Sequence, residues 1–192
     1  MNDGNLPEDR PAPSPIEVRL SPYEIDMAAN VGLRRQLEAL RSGLKDCHGF
    51  EGDGWGVHIE GAMGEMAFAK ASGMFWDGSV NTFRIQGDVG RVEVRTRSQH
   101  QYELIVRDND KDDSYYVLVT GKYGEYQIRG YIVGAKAKKP RWSRTHGNRP
   151  AAFFVPHGAM EPVARLFAVL SGELVDQHLK AVEASRRTPQ GS

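Results

Sequence analysis

The chain has 192 residues, enough for one domain with modest tails, and its 40% hydrophobic and 26% charged residues are the balance of an ordinary globule. Cys47 is the sole cysteine, which excludes an internal disulfide and a thiolate zinc cluster. The formal net charge is zero, so the molecule as a whole is not an obvious polyanion binder.

No run approaches the roughly 20 apolar residues that a membrane helix needs. The first residues, Met1-Asn2-Asp3-Gly4-Asn5, are polar and acidic, so no secretory signal is expected and a reducing, cytoplasmic setting is. Residues 1–19 carry four prolines and no periodicity, and read as a flexible tail. Ser21-Pro22-Tyr23-Glu24 has the form of a helix start: Ser21 caps, Pro22 fits the first turn and Glu24 completes a capping box. Ile25, Ala28, Ala29, Leu33, Leu37, Leu40 and Leu44 then predict an amphipathic helix ending near Lys45. The glycine-rich, acidic stretch 49–56 reads as a loop, and it lacks the Lys-Ser/Thr pair of a phosphate-binding loop. A second helix is predicted over 55–72, with Gly73 as its stop.

From Thr82 onward the period becomes strand-like. Strands are expected near 82–86, 91–97, 102–107, 115–120, 126–133 and 151–155, with turns at 87–90 and 108–114. A third helix is predicted over 158–170, with a further helical stretch to about 183 and a polar tail over 184–192. The order predicts an α+β domain spanning 20–183, with helices covering a mostly antiparallel or mixed sheet.

Chemistry concentrates in Gly87-Asp88-Val89-Gly90-Arg91-Val92-Glu93-Val94-Arg95-Thr96. Arg91, Glu93, Arg95 and Arg97 share one strand face, and Val92, Val94 and Thr96 the other. Asp88, flanked by glycines just before the strand, can converge with Glu93 on one hard cation, for which two carboxylates, a backbone carbonyl and waters suffice. Taken alone, Glu93 between arginines reads more readily as a cross-strand ion pair on a solvated face. Upstream, Gly61-Ala62-Met63-Gly64-Glu65 places a carboxylate inside a helix beside two glycines that permit close backbone approach.

A helical acid, then an acid before a strand, then Glu-x-basic within it resembles the PD-(D/E)XK nuclease superfamily. The resemblance runs from about Gly61 to Pro156 and is nearest to small nuclease-like proteins encoded by phages. Its supporting segments include Trp76-Asp77-Gly78-Ser79-Val80-Asn81. It implies a restriction-endonuclease-like core and a DNA nuclease using Mg2+ or Mn2+, located in the host cytoplasm if phage-encoded. Asp88, Glu93 and the carbonyl of Val94 would be the metal ligands, and Glu65 would bind metal directly or through water. Arg95 stands where the family has lysine; a guanidinium cannot act as a base but can clamp a phosphate. Base work would then fall to metal-activated water or to His100. Arg95 also keeps open a domain that has lost cutting and binds nucleic acid or a protein, and a structural phage protein is a third reading.

The stretch 134–150 holds Lys136, Lys138, Lys139, Arg141, Arg144, Arg149 and His146 with no acid, and Trp142 lies within it. A DNA backbone could meet these cations while Trp142 stacks on a base, or the stretch could be a solvated loop. Asp108, Asp110 and Asp112 lack the glycine and final glutamate of a calcium loop and read as a hairpin turn. Cys47-His48 is too small a set for zinc. Nothing in the pattern sets an oligomeric state.

Overall fold

In a computed structural model, which describes residues 10–43, 54–80, 87–147 and 149–187, strand β1 is Ile16–Arg19, and helix α1, Pro22–Arg41, follows at once. The capping box at Ser21 forms as the sequence predicts. Ser21 donates its N–H to Glu24 Oε2 at 2.6 Å, and Glu24 returns its own N–H to Ser21 Oγ at 3.4 Å. Lys70 Nζ then reaches Glu24 Oε2 (2.7 Å) and the Arg19 carbonyl (2.9 Å), tying the end of the second helix to the start of the first.

The face α1 buries is not the leucine stripe. Ala28 and Gly32 are its buried residues, while Leu33, Leu37 and Leu40 are exposed. The reason is steric: a Cβ at Gly32 would stand 2.5 Å from Ile59 Cα on helix α2, Gly54–Ser72, so the two backbones meet where the side chains are smallest. Helix α2 lies between α1 and the sheet, and every residue from Ala62 to Ala69 is buried. That position explains why α2 lacks an amphipathic period: it has no wet face over these two turns.

The remaining elements are β2 (Val92–Arg97), β3 (Leu104–Arg107), β4 (Tyr115–Lys122), β5 (Glu125–Val133), α3 (Gly134–Ala137), β6 (Ser143–Arg144), β7 (Ala152–Val155) and α4 (Val163–Arg187). Two sheets result, ordered β1-β5-β4-β2 and β3-β7-β6. The first is mixed, since β2 runs parallel to β4 while β4, β5 and β1 are antiparallel; the second is antiparallel. The architecture is α+β with mixed sheets flanked by helices. One core lies between the first sheet and α1, α2 and α4, with Phe68 against Phe167 at 5.8 Å between ring centroids. A second core, containing Leu104, Tyr116, Leu118, Trp142 and Met160, fills the sheet's opposite side.

Three expectations change. Residues 16–19, read as tail, form β1 and pair with β5, because Val18 alternates into the core. The third helix begins at Val163 and runs unbroken to Arg187, and residues 157–159 form a separate 3₁₀ turn. Within the basic stretch 134–150, read as a nucleic-acid contact or a solvated loop, α3, a 3₁₀ turn at Pro140–Trp142 and β6 form, and most of its described residues are exposed. The expected strand at 82–86, Cys47-His48 and the residues after Arg187 lie outside the described residues.

No helix among the described residues is long and apolar enough to cross a membrane.

Candidate metal site beside strand β2

Two close approaches place the acids. A Cβ on Gly64 would lie 1.9 Å from Thr96 Oγ1, so α2 settles directly on β2 and carries Glu65 with it. Before β2, Val89 and Val92 exchange backbone hydrogen bonds (3.2 and 3.1 Å) around a two-residue turn. Gly90 takes the first central position with φ +60°, where a turn of this length favours glycine. The turn folds Asp88 back along β2, where its Oδ2 accepts the Val94 N–H at 2.7 Å. Among the described residues β2 stands at the end of its sheet, and an extended residue directs its N–H and C=O to the same side. The Val94 carbonyl therefore also projects to the edge that Asp88 occupies.

Around Asp88 stand two further carboxylates and two guanidiniums. Burial first, then the charges of Glu65 and Glu93, raise Asp88 to about 7, against the opposing pull of the Val94 N–H and Arg95. Glu65 is buried, with its side chain only 6% exposed, and is held by Arg35 through a bidentate pair at 2.6 and 2.8 Å. Trp76 Nε1 donates to Glu65 Oε2 at 3.0 Å, and Arg35 Nε donates to the Ser79 carbonyl at 3.0 Å. Burial works against the Arg35 charge, but Glu65, Asp88 and Asp77 outweigh it and raise its pKa.

Arg95 is shared. Its Nη1 reaches Glu93 Oε2 at 3.4 Å, whereas its Nη2 donates to both oxygens of Asp110 at 3.1 and 3.2 Å. The guanidinium lies over the Tyr116 ring at 5.3 Å, and its buried Nε–H meets no acceptor among the described residues. Burial opposes its charge; Asp110, Asp88 and Glu93 more than compensate.

The residues expected to form the site therefore fall into two groups. Asp88, Glu93, the Val94 carbonyl, Glu65 and Arg95 come together. Among the described residues no three His, Cys, Asp or Glu side chains are spaced to hold a metal by themselves, and Glu65 already spends its oxygens on Arg35 and Trp76. His100 is elsewhere. Its Nδ1 meets Thr120 Oγ1 at 2.9 Å, and Thr120 is the register partner of Arg97, whereas Glu93 pairs with Tyr116. Four residues of strand separate these positions, about 13 Å. His100 instead lines a polar pocket of about 320 Å³ with Glu17, Arg19, Glu125 and Gln127, too far to serve Asp88 as a base.

The basic stretch is also sorted by the fold. Trp142 is buried, with Lys139 and Arg141 over its ring at 5.2 and 5.1 Å, so its faces are not open to a base. Lys138 points inward onto the Asp108 and Asp110 carbonyls and Asp112 Oδ1. Arg144 pairs with Glu103 at 2.5 Å. Lys136, Lys139 and Arg141 remain at the surface or near it. Sequence reading missed Arg35, Trp76 and Asp110 as members of the site. Only Trp76 carried a signal, as part of the segment that supports the nuclease resemblance.

No protein-family model, curated protein or solved structure matches this chain.

Proposed function

We propose that this protein is a divalent-metal-dependent nuclease that hydrolyses DNA phosphodiester bonds, with Mg2+ or Mn2+ held by Asp88, Glu93 and the Val94 carbonyl. The proposal includes a core of the restriction-endonuclease type, in which a helical acid precedes an acid before a strand and a glutamate within it. The observation that carries the reading is the Asp88 carboxylate on the Val94 N–H of β2, close to the charges of Glu65 and Glu93. Asp88, Glu65, Glu93 and Asp110 set four carboxylates against the two guanidiniums of Arg35 and Arg95. Once Asp88 is ionised, the excess of two negative charges, partly withdrawn from water and next to the Val94 carbonyl, fits a hard divalent cation.

A cation held there would activate water for in-line attack and offset charge gathering on the scissile phosphate. The protein's own groups do the rest. Arg35 and Trp76 lock Glu65 so that its charge adjoins Asp88 without drifting. Arg95, over Tyr116, would meet a phosphate oxygen, and Lys136, Lys139 and Arg141 would supply cations for the flanking backbone.

The test is nicking of plasmid DNA with Mg2+ or Mn2+, its loss on chelation, and its loss in Glu93→Ala that still folds. Full activity in Glu93→Ala excludes the mechanism. A second reading, a domain that binds nucleic acid or protein without cutting, is favoured by the way Asp110 already occupies Arg95. Wild type that binds single-stranded, duplex or branched DNA but cleaves none of them would decide for it.

A further inference from the structure

We propose that Asp110 is a positioning residue of the candidate site, drawing the Arg95 guanidinium away from Glu93 and so leaving the Glu93 carboxylate available beside Asp88. The consequence for metal rests on the function proposed above; the placement of Arg95 does not.

Arginine keeps its charge, so whichever carboxylate holds it is neutralised. Asp110 takes Nη2 with both oxygens, at 3.1 and 3.2 Å, while Glu93 receives only Nη1, with one oxygen and at the longer distance of 3.4 Å. Asp110 cannot follow Arg95 toward Glu93, because it is fastened on two sides. Its Oδ2 accepts the Arg107 N–H at 2.9 Å, and its own N–H donates to the Arg107 carbonyl at 3.2 Å. Lys138 Nζ then clamps the turn through the carbonyls of Asp108 (2.8 Å) and Asp110 (2.5 Å) and Asp112 Oδ1 (2.7 Å). Beneath the guanidinium, Tyr116 is itself held by its hydroxyl donating to the Lys111 carbonyl at 3.1 Å. Lys138, Asp110 and Arg95 thus form a chain that ends at Glu93, and the basic stretch reaches the site through it.

Two measurements on the full chain test this. In nitrogen-detected NMR of the arginine side chains, Arg95 should show resolved, slowly exchanging Nη signals in wild type and in Glu93→Gln. They should shift and average in Asp110→Asn, which keeps an oxygen for the Arg107 N–H. The reverse pattern, with Glu93→Gln freeing Arg95 and Asp110→Asn leaving it held, overturns the proposal. In Mn2+ titrations read by EPR, Asp110→Asn should raise the Kd about 10- to 100-fold, as loss of an outer partner does. In an Arg95→Met background the same change should have no effect, which a merely structural role would not predict. Unchanged Mn2+ affinity in Asp110→Asn, with wild type binding, overturns the link to Glu93. Wild type that takes no Mn2+ overturns the metal reading, and the NMR comparison still decides whether Asp110 or Glu93 holds Arg95.

Discussion

Asp88→Asn should stabilise the protein above neutral pH and leave it unchanged in acid. Burial, then Glu65 and Glu93, raise the carboxyl from the ordinary aspartate value of 3.8 to about 7. Between those values the folded chain retains a proton that the unfolded chain has released. Stability therefore falls as pH rises through that window, and the deficit is complete above about 7. One pKa unit is ~1.36 kcal/mol, so the ceiling is about 4 kcal/mol. Asp88 keeps partial contact with solvent, which leaves roughly 1–3 kcal/mol as the expected gain. Asparagine retains the oxygen that accepts the Val94 N–H, so the turn should survive. Urea unfolding at pH 4.5 and pH 8 measures the difference, with an unchanged m-value required for a clean comparison. A variant no more stable than wild type at pH 8, or equally stabilised at both pH values, would refute the electrostatic argument. Mg2+ at a hundredfold excess over its Kd should add about 2.7 kcal/mol to wild type and much less to Asp88→Asn.

Other substitutions probe the frame around this carboxyl. Glu65→Gln strands the Arg35 guanidinium, whose side chain is 19% exposed, and should cost about 3–5 kcal/mol in urea unfolding; a loss below about 1 kcal/mol would mean that Arg35 finds water. Gly64→Ala puts a methyl 1.9 Å from Thr96 Oγ1 and should cost about 1–3 kcal/mol by lifting α2 from β2. Part of that loss should return in a Thr96→Ala background. If Arg95 orients the scissile phosphate, Arg95→Ala should lose single-turnover cleavage while Arg95→Lys keeps part of it. Equal rates for all three would remove Arg95 from the chemistry.

Local signals settled the helices and most strands of this chain. The capping box of Ser21 and Glu24, the stop at Gly73, the alternation through 91–97 and 126–133, and the apolar run near 115–120 act over a few residues, so they are legible in a linear reading. So was the turn at 87–90, which folds Asp88 back along β2 wherever the strand later packs. Tertiary structure alone decided the rest. Periodicity names the residues that leave water but not the surface that receives them, so nothing local told the buried Ala28 and Gly32 from the exposed Leu37 and Leu40. Strand pairing depends on closing loops of any length, and so the parallel alignment of β2 with β4 and the recruitment of residues 16–19 were hidden. The charges show it most sharply. Glu65 meets Arg35 across 30 positions and Arg95 meets Asp110 across 15, and Lys138 turns inward onto residues 26 to 30 positions before it. A charged side chain in sequence has no partner until the fold closes, and which partner it then takes determines whether it is free to bind or already satisfied.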